Sequence, residues 1–327
     1  MSALVLNDGV PPDERYVNGG FARYVGAGGS KINFVRHYVS QLISHRYDWI
    51  IFGHISLSPL AHLARLFNPA VKTGVIAYGI EVWRPLTSSQ RRALQRANVL
   101  LAISDYTKAQ LIKHSSVLPE KIKIFPCVLA PHWQLTQSVT PPDAKPPIVL
   151  SVTRLTKGDR YKGVDNVIRS LPAVVSAVGP IEYRIVGEGN DVPRLRALAT
   201  ALGVGSYVNF MGGLADDELR EQYRRCSLFV LPSREEGFGI VFLEAMAYSK
   251  PVIGGAHGGT PSVVKDGQTG ILVDSLDVAG ITQAISALLC NEELREQFGR
   301  AGHKRLQDEF TFNIFERNFQ EVFNSLA

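Results

Sequence analysis

Two glutamates, Glu236 and Glu244, lie eight residues apart where a glycine-broken loop leads into a predicted helix. Gly237 and Gly239 allow the loop to turn sharply and its backbone to approach a ligand closely. The helix from about Ile240 points its free N–H groups at the same place, where an anion such as a diphosphate is favoured. The two carboxylates could accept hydrogen bonds from hydroxyls at opposite ends of one elongated ligand. A single glutamate near a helix start would only complement the helix dipole, whereas this pair predicts a sugar-nucleotide site.

Two cations are expected at the same edge of the fold. Arg154 follows a predicted strand and Lys162 precedes the next predicted helix, so both can reach one edge of a parallel sheet. Two cations and a helix N-terminus suffice to bind a diphosphate without a metal, and they stabilise the negative charge that grows on it as a sugar departs. A strand-end arginine alone would be read as part of a surface ion pair, but the glutamate loop in the same half favours a binding role.

Glycine turns follow two further strands. The Gly187-Glu188-Gly189 turn is weak evidence for phosphate contact, because a short G-x-G sequence is usually just a tight turn that binds no ligand. The stretch 254–259 has four glycines in six positions and permits close backbone approach to a ligand. In the first half, Tyr78 and Trp83 lie on a loop after a strand and offer flat faces for a sugar ring, although Trp83 could equally pack in the core.

Length and composition bound the class of protein. A chain of 327 residues with 45% hydrophobic content predicts two globular domains. There is no apolar run of 18 residues and no basic segment followed by an apolar one at the start, which argues against a membrane span and a secretory signal. The three cysteines are scattered and match neither a metal site nor a disulfide framework, so a cytoplasmic location is expected.

Positive charge is concentrated in the first half. Residues 1–145 carry 16 Lys and Arg against 8 Asp and Glu, whereas residues 146–327 carry 19 against 22. The basic positions cluster at Arg84, Arg91, Arg92 and Arg96, and at Lys31, Arg36 and Arg46. No recognition-helix or aromatic RNA-binding signature accompanies them, so nucleic acid is not expected as a partner. An anionic membrane surface, a polyprenyl-diphosphate acceptor and a solvated face without a partner remain as explanations.

Strands and helices alternate on both sides of a proline-rich linker at 136–147. After the linker, strands are predicted at 148–153, 182–187, 206–210, 227–231, 251–254 and 270–273. Helices are predicted there at 163–178, 191–202, 216–225, 240–248, 277–289 and 292–307. Before the linker, strands are predicted at 3–7, 47–52, 72–76, 98–102 and 122–125, and helices at 31–44, 57–67, 88–96 and 105–113.

This alternation is typical of doubly wound parallel sheets, which bind ligands beyond the carboxyl ends of their strands. We therefore expect an α/β protein with two Rossmann-like domains that face each other across a cleft. The amino-terminal domain, 1–140, would receive the acceptor, and the carboxyl-terminal domain, 147–310, would bind the nucleotide sugar. An aromatic stripe at helical spacing predicts a packing helix at 311–327, which could return to the amino-terminal domain.

The chain resembles the retaining glycosyltransferases of family four, which have the GT-B fold and move a sugar from a nucleoside diphosphate to an acceptor. The most specific match is the E-x7-E motif at Glu236 and Glu244. The resemblance implies that Glu236 contacts the hydroxyls of the donor sugar and that Glu244 holds the ribose. Arg154 and Lys162 match the diphosphate-binding pair of the family. Catalysis is thus expected from Glu236, Arg154 and Lys162, without a metal ion or a cofactor.

The resemblance also extends the predicted donor site to neighbouring backbone. The residues expected to bind the donor are Arg154, Lys162, Gly187, Glu188, Glu236, Gly237, Phe238, Gly239, Ile240, Val241 and Glu244. A turn at 258–261 matches the G-G-x-P turn of the family.

Two features depart from the family pattern. Tyr78 stands where the family often has a histidine that faces the transferred sugar, and tyrosine can donate a hydrogen bond but cannot become an imidazolium. Family members usually begin with a strand and a Gly-Gly loop, whereas here the first such pair, Gly28-Gly29, comes after an irregular stretch. Either this pair supplies the loop of the donor-sugar or acceptor site, or an opening βα unit is missing. We favour the second interpretation.

These features predict a hexosyltransferase with a metal-independent, front-face mechanism. GDP-mannose and UDP-glucose are the expected donors, and a saccharide or a polyprenyl-diphosphate-linked glycan is the expected acceptor, in bacterial polysaccharide or lipid-linked oligosaccharide synthesis. The protein would be cytoplasmic, with peripheral attachment to the inner face of the plasma membrane as a further hypothesis. A nucleotide-sugar epimerase or phosphorylase, and a non-catalytic regulator that binds a nucleotide sugar, are the alternatives.

Overall fold

The structure of the protein, a computed structural model, describes residues 2–8, 23–131, 133 and 146–326. The predicted linker at 136–147 lies outside the described residues except for its last two prolines. On either side of it the chain forms an α/β half.

The amino-terminal half contains two parallel sheets. Its strands are β1 (Ser2–Val5), β2 (Arg23–Gly26), β3 (Trp49–Phe52), β4 (Lys72–Ala77), β5 (Val99–Ala102) and β6 (Ile122–Ile124). Its helices are α1 (Lys31–Ser44), α2 (Leu60–Phe67), α3 (Ser88–Arg96) and α4 (Asp105–Ser115), with 3₁₀ turns at Ile55–Leu57, Ile80–Val82 and Pro119–Lys121. Strand β1 pairs only with β2 among the described strands, while β3, β4, β5 and β6 form a four-stranded sheet in that order.

Local sequence explains where these elements begin. All four residues of β5 are buried, as expected for an inner strand of a parallel sheet with both faces covered. Ser30 and Ser104 cap α1 and α4 through their side chains, and Thr87 forms a capping box with Gln90 at the start of α3.

The carboxyl-terminal half contains one parallel sheet. Its strands are β7 (Ile148–Val152), β8 (Glu182–Val186), β9 (Val208–Gly212), β10 (Leu228–Leu231), β11 (Val252–Gly255) and β12 (Gly270–Val273). Its helices are α5 (Val164–Val178), α6 (Val192–Ala201), α7 (Asp216–Arg225), α8 (Ile240–Ala247), α9 (Thr260–Val263), α10 (Val278–Cys290), α11 (Glu292–Glu309) and α12 (Phe312–Asn324). There are 3₁₀ turns at Lys157–Lys162 and Gly205–Tyr207.

The strand order of this sheet fixes where a ligand can bind. The order is β12-β11-β10-β7-β8-β9, so the direction of winding reverses between β7 and β10. In such sheets a crevice opens beyond the carboxyl ends of the strands at the reversal point. The loops that follow β7 and β10 therefore lie beside that crevice.

The last helix belongs spatially to the other half. Phe315, Phe319 and Phe323 of α12 pack on the amino-terminal sheet, where they meet Trp49 and Phe125. The ring centroids of Trp49 and Phe323 are 5.0 Å apart in an edge-to-face arrangement. Helix α12 thus ties the end of the chain to the amino-terminal half.

The two halves also touch across the crevice. A Cβ atom built on Gly79 would lie 2.9 Å from Cα of Gly237, so two glycines allow these loops to meet. Farther along, the backbone N–H of Asp105 donates to Oγ of Ser262 at 3.3 Å. Loops of the two halves are therefore in direct contact with each other.

Most predicted elements occur close to their predicted positions, and the exceptions have local causes. Helix α2 begins at Leu60 rather than residue 57, because Ile55–Leu57 forms a separate 3₁₀ turn before Pro59. Strand β2 was not predicted, since Arg23–Gly26 is short and carries little apolar alternation. The Gly28-Gly29 turn follows β2 and leads directly into α1.

Candidate active site between the two halves

A cleft of about 670 Å³ opens at the reversal point of the carboxyl-terminal sheet and is lined from both halves. It brings together most residues predicted to act on a donor or a sugar. These are Tyr78, Arg154, Lys162, Gly187, Glu188, Glu236, Gly237, Phe238, Gly239, Ile240 and Val241. Glu244, Gly28 and Gly29 are not among the residues that line it.

Lys162 and Glu236 form an ion pair at the centre of this group. Nζ of Lys162 lies 2.6 Å from Oε2 of Glu236, and the two side chains are only 14% and 13% exposed. Backbone contacts hold their loops together, since the N–H of Arg234 donates to the carbonyl of Tyr161 at 2.8 Å. A cation and a carboxylate are thus kept together in a mostly buried part of the cleft.

Arg154 is more accessible than Lys162. Its side chain is 73% exposed, and its Nη2 lies 2.9 Å from Oδ1 of the buried Asp159. The same carboxylate accepts hydrogen bonds from Thr156 and Tyr161. Burial, followed by the charges of Asp159 and Glu236, raises the pKa of Tyr161, which therefore remains a neutral donor. Asp159 thus holds one terminal nitrogen of the guanidinium, while most of the Arg154 side chain is exposed to solvent.

The turn after β8 is held against the turn after β7. The N–H of Thr153 donates to Val186 at 3.0 Å, and the N–H of Leu155 donates to Glu188 at 2.8 Å. Gly187 has φ of 135°, and a Cβ atom there would collide with the carbonyl of Thr153. The predicted glycine turn thus serves close packing of two loops, with its backbone at the cleft wall.

The second glycine loop also approaches protein backbone. The N–H of Gly259 donates to the carbonyl of Glu236 at 2.6 Å. A Cβ atom on Gly258, whose φ is 69°, would lie 2.7 Å from the same carbonyl oxygen. The close approach expected for a ligand is made instead to the loop that carries Glu236, which this contact positions.

The start of α8 faces the cleft. Gly239 precedes the helix with φ of 99°, and the first two helical residues, Ile240 and Val241, line the cleft. The unpaired N–H groups of this first turn provide partial positive charge for an anion.

Glu244 lies deeper than Glu236. Its Oε2 accepts a hydrogen bond of 2.6 Å from the buried phenol of Tyr223. Burial raises the pKa of Glu244, and the hydrogen bond from Tyr223 opposes part of that rise. The carboxylate lies one turn inside α8, and its role toward a ribose stays a prediction.

The amino-terminal wall of the cleft carries Tyr78, Glu81 and Cys127. The N–H of Tyr78 donates to Oε1 of Glu81 at 2.5 Å. Burial raises the pKa of Tyr78 and raises that of Cys127 to about 12, so both are neutral near pH 7. Trp83 packs edge-to-face on Tyr106 with centroids 5.0 Å apart, which agrees with the core-packing interpretation of that residue.

The Gly28-Gly29 turn lies beside the first strand. The N–H of Gly29 donates to the carbonyl of Leu6 at 2.7 Å, and that of Gly28 donates to Asp8 at 3.0 Å. Both glycines have positive φ, and Ser30 then caps α1. Their predicted role in the site remains a prediction.

Sequence reasoning missed several residues of the cleft. They are Ile80, Glu81, Ile103, Cys127, Val152, Thr153, Tyr161, Val186, Gly213, Leu214, Leu219, Leu231 and Glu235. Gly213 follows the end of β9, so the strand-end glycine signal used for Gly187 could have found it. Cys127 comes from the segment after β6, and only the packing of the two halves places it in the cleft.

Neither a metal-binding cluster nor a membrane-spanning helix is found among the described residues. Within the ranges given above, no three His, Cys, Asp or Glu side chains are grouped as they would be around a metal ion. None of the helices in that part of the chain combines the length and apolarity needed to cross a bilayer.

Two Rossmann-like halves that face each other across a cleft form the GT-B fold, as the sequence predicted. The model of the family "Glycosyl transferases group 1" matches residues 135–305, and the chain belongs to this family. The predicted enzyme class, a hexosyltransferase, is thereby confirmed.

Two bacterial relatives are mannosyltransferases. A GDP-mannose-dependent alpha-(1-6)-phosphatidylinositol monomannoside mannosyltransferase of Mycolicibacterium smegmatis is 32% identical over 285 residues, which cover 79% of this chain and 71% of the relative. A GDP-mannose-dependent monoacylated alpha-(1-6)-phosphatidylinositol monomannoside mannosyltransferase of Corynebacterium glutamicum is 29% identical over 311 residues, 88% of this chain and 80% of the relative.

Solved structures show the same fold along nearly the whole chain. A glycosyltransferase from Rickettsia africae superposes with a TM-score of 0.80 at 15% identity, covering 99% of this chain and 98% of its own. The Anabaena protein HepE, determined with UDP and glucose, superposes with a TM-score of 0.78 at 18% identity, covering 99% and 100%. At these identities the similarity concerns the fold alone.

Proposed function

We propose that the protein transfers mannose from GDP-mannose to a lipid-linked acceptor, with retention of the anomeric configuration and without a metal ion. The observation that carries this proposal is the Lys162–Glu236 ion pair, which lies with Arg154 in the cleft at the reversal point of the sheet. The GDP-mannose-dependent relatives support mannose and guanosine as the transferred sugar and the nucleoside.

The ion pair suggests how the donor would be received. Lys162 would turn from Glu236 to the diphosphate, and Arg154 would bind the same group from the open side of the cleft. The released carboxylate of Glu236 would then accept hydrogen bonds from hydroxyls of the sugar. The diphosphate would replace Glu236 as the counter-ion of Lys162, and the sugar hydroxyls would keep the buried carboxylate hydrogen-bonded, which lowers the cost of opening the pair.

Transfer would proceed on one face of the sugar. The bond between the anomeric carbon and the phosphate oxygen breaks while the acceptor oxygen bonds to that carbon on the same face. The acceptor proton passes to the departing phosphate oxygen. Arg154, Lys162 and the first turn of α8 would stabilise the charge on the phosphate, so that positioning and electrostatics supply most of the rate.

The acceptor would be held at a membrane surface. The named acceptors of the two relatives are phosphatidylinositol mannosides, and the amino-terminal half of this chain carries the positive excess. Helix α1 exposes Ile32 and Ile43 by 75% and 68%, on the helix that also carries the exposed Lys31 and Arg36. Basic residues beside exposed apolar ones suit peripheral binding to an anionic leaflet, in the cytoplasm.

Acceptor-dependent release of nucleotide tests the proposal. The full chain would be incubated with GDP-mannose or UDP-glucose, with and without a bacterial phosphoinositide-mannoside extract and with and without EDTA. We expect GDP release only with acceptor, insensitivity to EDTA, and an α-linked mannose by NMR of the product.

Other outcomes identify the alternatives. Release of a free sugar epimer would indicate an epimerase, and binding of the donor without any turnover would indicate a regulatory partner. An inverted β-linkage would contradict the front-face route, and loss of turnover in EDTA would contradict metal independence.

A further inference from the structure

Glu188 is an acidic residue in a cleft that is proposed to bind a diphosphate. It lines the cleft after β8, it is exposed, and no described lysine, arginine or histidine forms an ion pair with it. One of its oxygens, Oε1, accepts a hydrogen bond of 3.1 Å from the N–H of Gly213. A Cβ atom on Gly213 would lie 3.1 Å from the same oxygen, so the side chain rests on the turn after β9. The contact fixes Glu188 while its second oxygen has no partner in the described residues.

The strand order places Glu188 away from Lys162, whereas the backbone on either side of Arg154 borders it through the N–H of Thr153 and of Leu155. Lys162 and Glu236 belong to the loops after β7 and β10, whereas Glu188 and Gly213 follow β8 and β9, which continue the sheet outward. Neighbouring strands are ~4.8 Å apart, so the turn after β9 lies about 10 Å along the sheet edge from the end of β7. A nucleotide sugar with its phosphates at the cations and its sugar at Glu236 would therefore extend its base toward Glu188.

The wall at this end suits a flat base. Val186, Leu214 and Leu219 line the cleft beside the Glu188–Gly213 contact and offer apolar surface. Apolar side chains with a few fixed polar groups are the usual composition of a small-molecule site, in which the polar groups set orientation and specificity.

The bases differ in what they offer to a carboxylate, which only accepts hydrogen bonds. Guanine presents N1–H and the 2-amino group side by side, two donors on one edge. Uracil presents a single N3–H donor between two carbonyl oxygens, and a carboxylate repels those oxygens. Adenine places a bare ring nitrogen next to its amino group. Of these three bases, only guanine can donate two neighbouring hydrogen bonds to one carboxylate.

We infer that Glu188, held by Gly213, is the residue that selects a guanine nucleotide over a uracil or adenine nucleotide. The inference rests on the proposed function, because it assumes that a nucleoside diphosphate occupies this cleft. Glu188 would bind the base and would take no part in the transfer step itself.

Binding of four nucleotides to the full chain tests the inference. GDP, IDP, UDP and ADP would be titrated by calorimetry into the wild type and into Glu188→Gln, an isosteric change at an exposed side chain. IDP keeps N1–H but lacks the 2-amino group, so it isolates one of the two donors. We expect the wild type to bind GDP about 10- to 100-fold more tightly than UDP or ADP, with IDP between them. In Glu188→Gln the affinity for GDP should fall to the level of the wild-type affinity for UDP. The affinity for UDP should change little in this variant.

Asp217→Asn is the matched control. It removes one carboxylate from an exposed position on α7, where the side chain is 93% accessible, and should leave all four affinities unchanged. Equal affinities of the wild type for GDP and UDP, or an equal loss of all four in Glu188→Gln, would overturn the inference and leave the proposed function standing. Failure of every nucleotide to bind a folded chain would overturn both.

Discussion

The Lys162–Glu236 pair is the residue-scale feature on which transfer should depend. Lys162→Ala or Glu236→Ala removes one electrostatic contact to the transition state, and each should slow transfer at least ~100-fold. Initial rates of GDP release with saturating acceptor measure the effect.

Lys157→Ala provides the comparison for this prediction. Lys157 is exposed at the start of the same 3₁₀ turn, outside the lining of the cleft, and its loss should change the rate less than about twofold. Near-wild-type turnover in a chain that carries both alanine changes would refute the proposed mechanism.

Glu244 predicts a pH dependence of stability. Burial raises the pKa of its carboxyl in the folded state above the ordinary value of 4.5. The folded chain therefore holds this proton more tightly than the unfolded chain, and the free energy of unfolding should fall as the pH rises from about 4.5 through the raised pKa. Glu244→Gln should flatten this part of the curve in urea denaturation at a series of pH values.

Tyr223→Phe should have the opposite effect on the same curve. It removes the donor that stabilises the ionised carboxylate, so stability at neutral pH should fall by about 1–3 kcal/mol and the decline with pH should steepen. Glu316→Gln, at an exposed position on α12, should show the same dependence of stability on pH as the wild type. A Glu244→Gln curve parallel to that of the wild type would show that this carboxyl does not cause the slope.

At the scale of elements, the contact between two loops should control the geometry of the cleft. Gly237→Ala would drive its new methyl group into the carbonyl of Tyr78, and the loops would have to separate. A displacement of about 1 Å at a reacting centre costs about 100-fold in rate, while overpacking costs about 1–3 kcal/mol of stability. We expect turnover to fall by this factor, measured beside the urea midpoint.

Gly53→Ala distinguishes a local effect from a general cost of losing glycine. Gly53 follows β3 without positive φ, and a Cβ atom there meets nothing within 4 Å. That variant should keep both rate and stability. If Gly237→Ala were equally active, the contact between Tyr78 and Gly237 would have no part in catalysis.

The sequence predicted those elements whose signals are local. Strands such as β10 are continuous apolar runs because a parallel sheet is covered on both faces, and such runs are visible without a structure. Strand β2 was not predicted, because Arg23–Gly26 forms a strand by pairing with β1 and has no clear strand pattern of its own. The strand-end rule likewise predicted that Arg154 and Lys162 could reach one edge of the sheet, and both line the cleft there.

Local sequence patterns could not predict which distant loops contact each other. The glycines at 258 and 259 signalled close approach, but only the structure shows that they approach the backbone of Glu236. Glu81 and Cys127 enter the cleft because the amino-terminal half closes against the other, which no local spacing encodes.

At the scale of the whole molecule, α12 makes the two halves depend on each other. Its chain leaves the carboxyl-terminal half at Phe310, whose carbonyl accepts from the N–H of Leu129 at 2.9 Å, and then covers the amino-terminal sheet. Phe319→Ala should therefore lower the free energy of unfolding by about 2–3 kcal/mol, somewhat less than for a fully buried ring. Urea denaturation measures it.

Arg317→Ala on the same helix is the control. Its side chain is 61% exposed and its nearest carboxylate oxygen, on Glu321, is 4.0 Å away, so its loss should cost less than about 0.5 kcal/mol. Equal stability of the two variants would mean that the aromatic stripe does not hold the helix in place.

The uneven charge of the molecule predicts a salt-sensitive membrane contact. The positive excess of the first half should draw the protein to vesicles that contain phosphatidylglycerol and not to vesicles of phosphatidylcholine alone. Binding should be strong at 10–20 mM salt and largely lost near ~0.5 M, where charges are screened within a few ångströms. Co-sedimentation with vesicles at several salt concentrations measures it.

Variants of α1 decide whether that helix makes the contact. Lys31→Glu with Arg36→Glu should weaken binding at low salt, because each basic residue near an anionic surface contributes about 1 kcal/mol. Ile32→Ser with Ile43→Ser should weaken the part of binding that survives at higher salt, since apolar insertion is not screened. Arg300→Glu, at an exposed position on α11 of the carboxyl-terminal half, should bind as the wild type does. If all of these variants sedimented alike, attraction would come from another part of the basic half, and absence of binding at low salt would remove the membrane hypothesis.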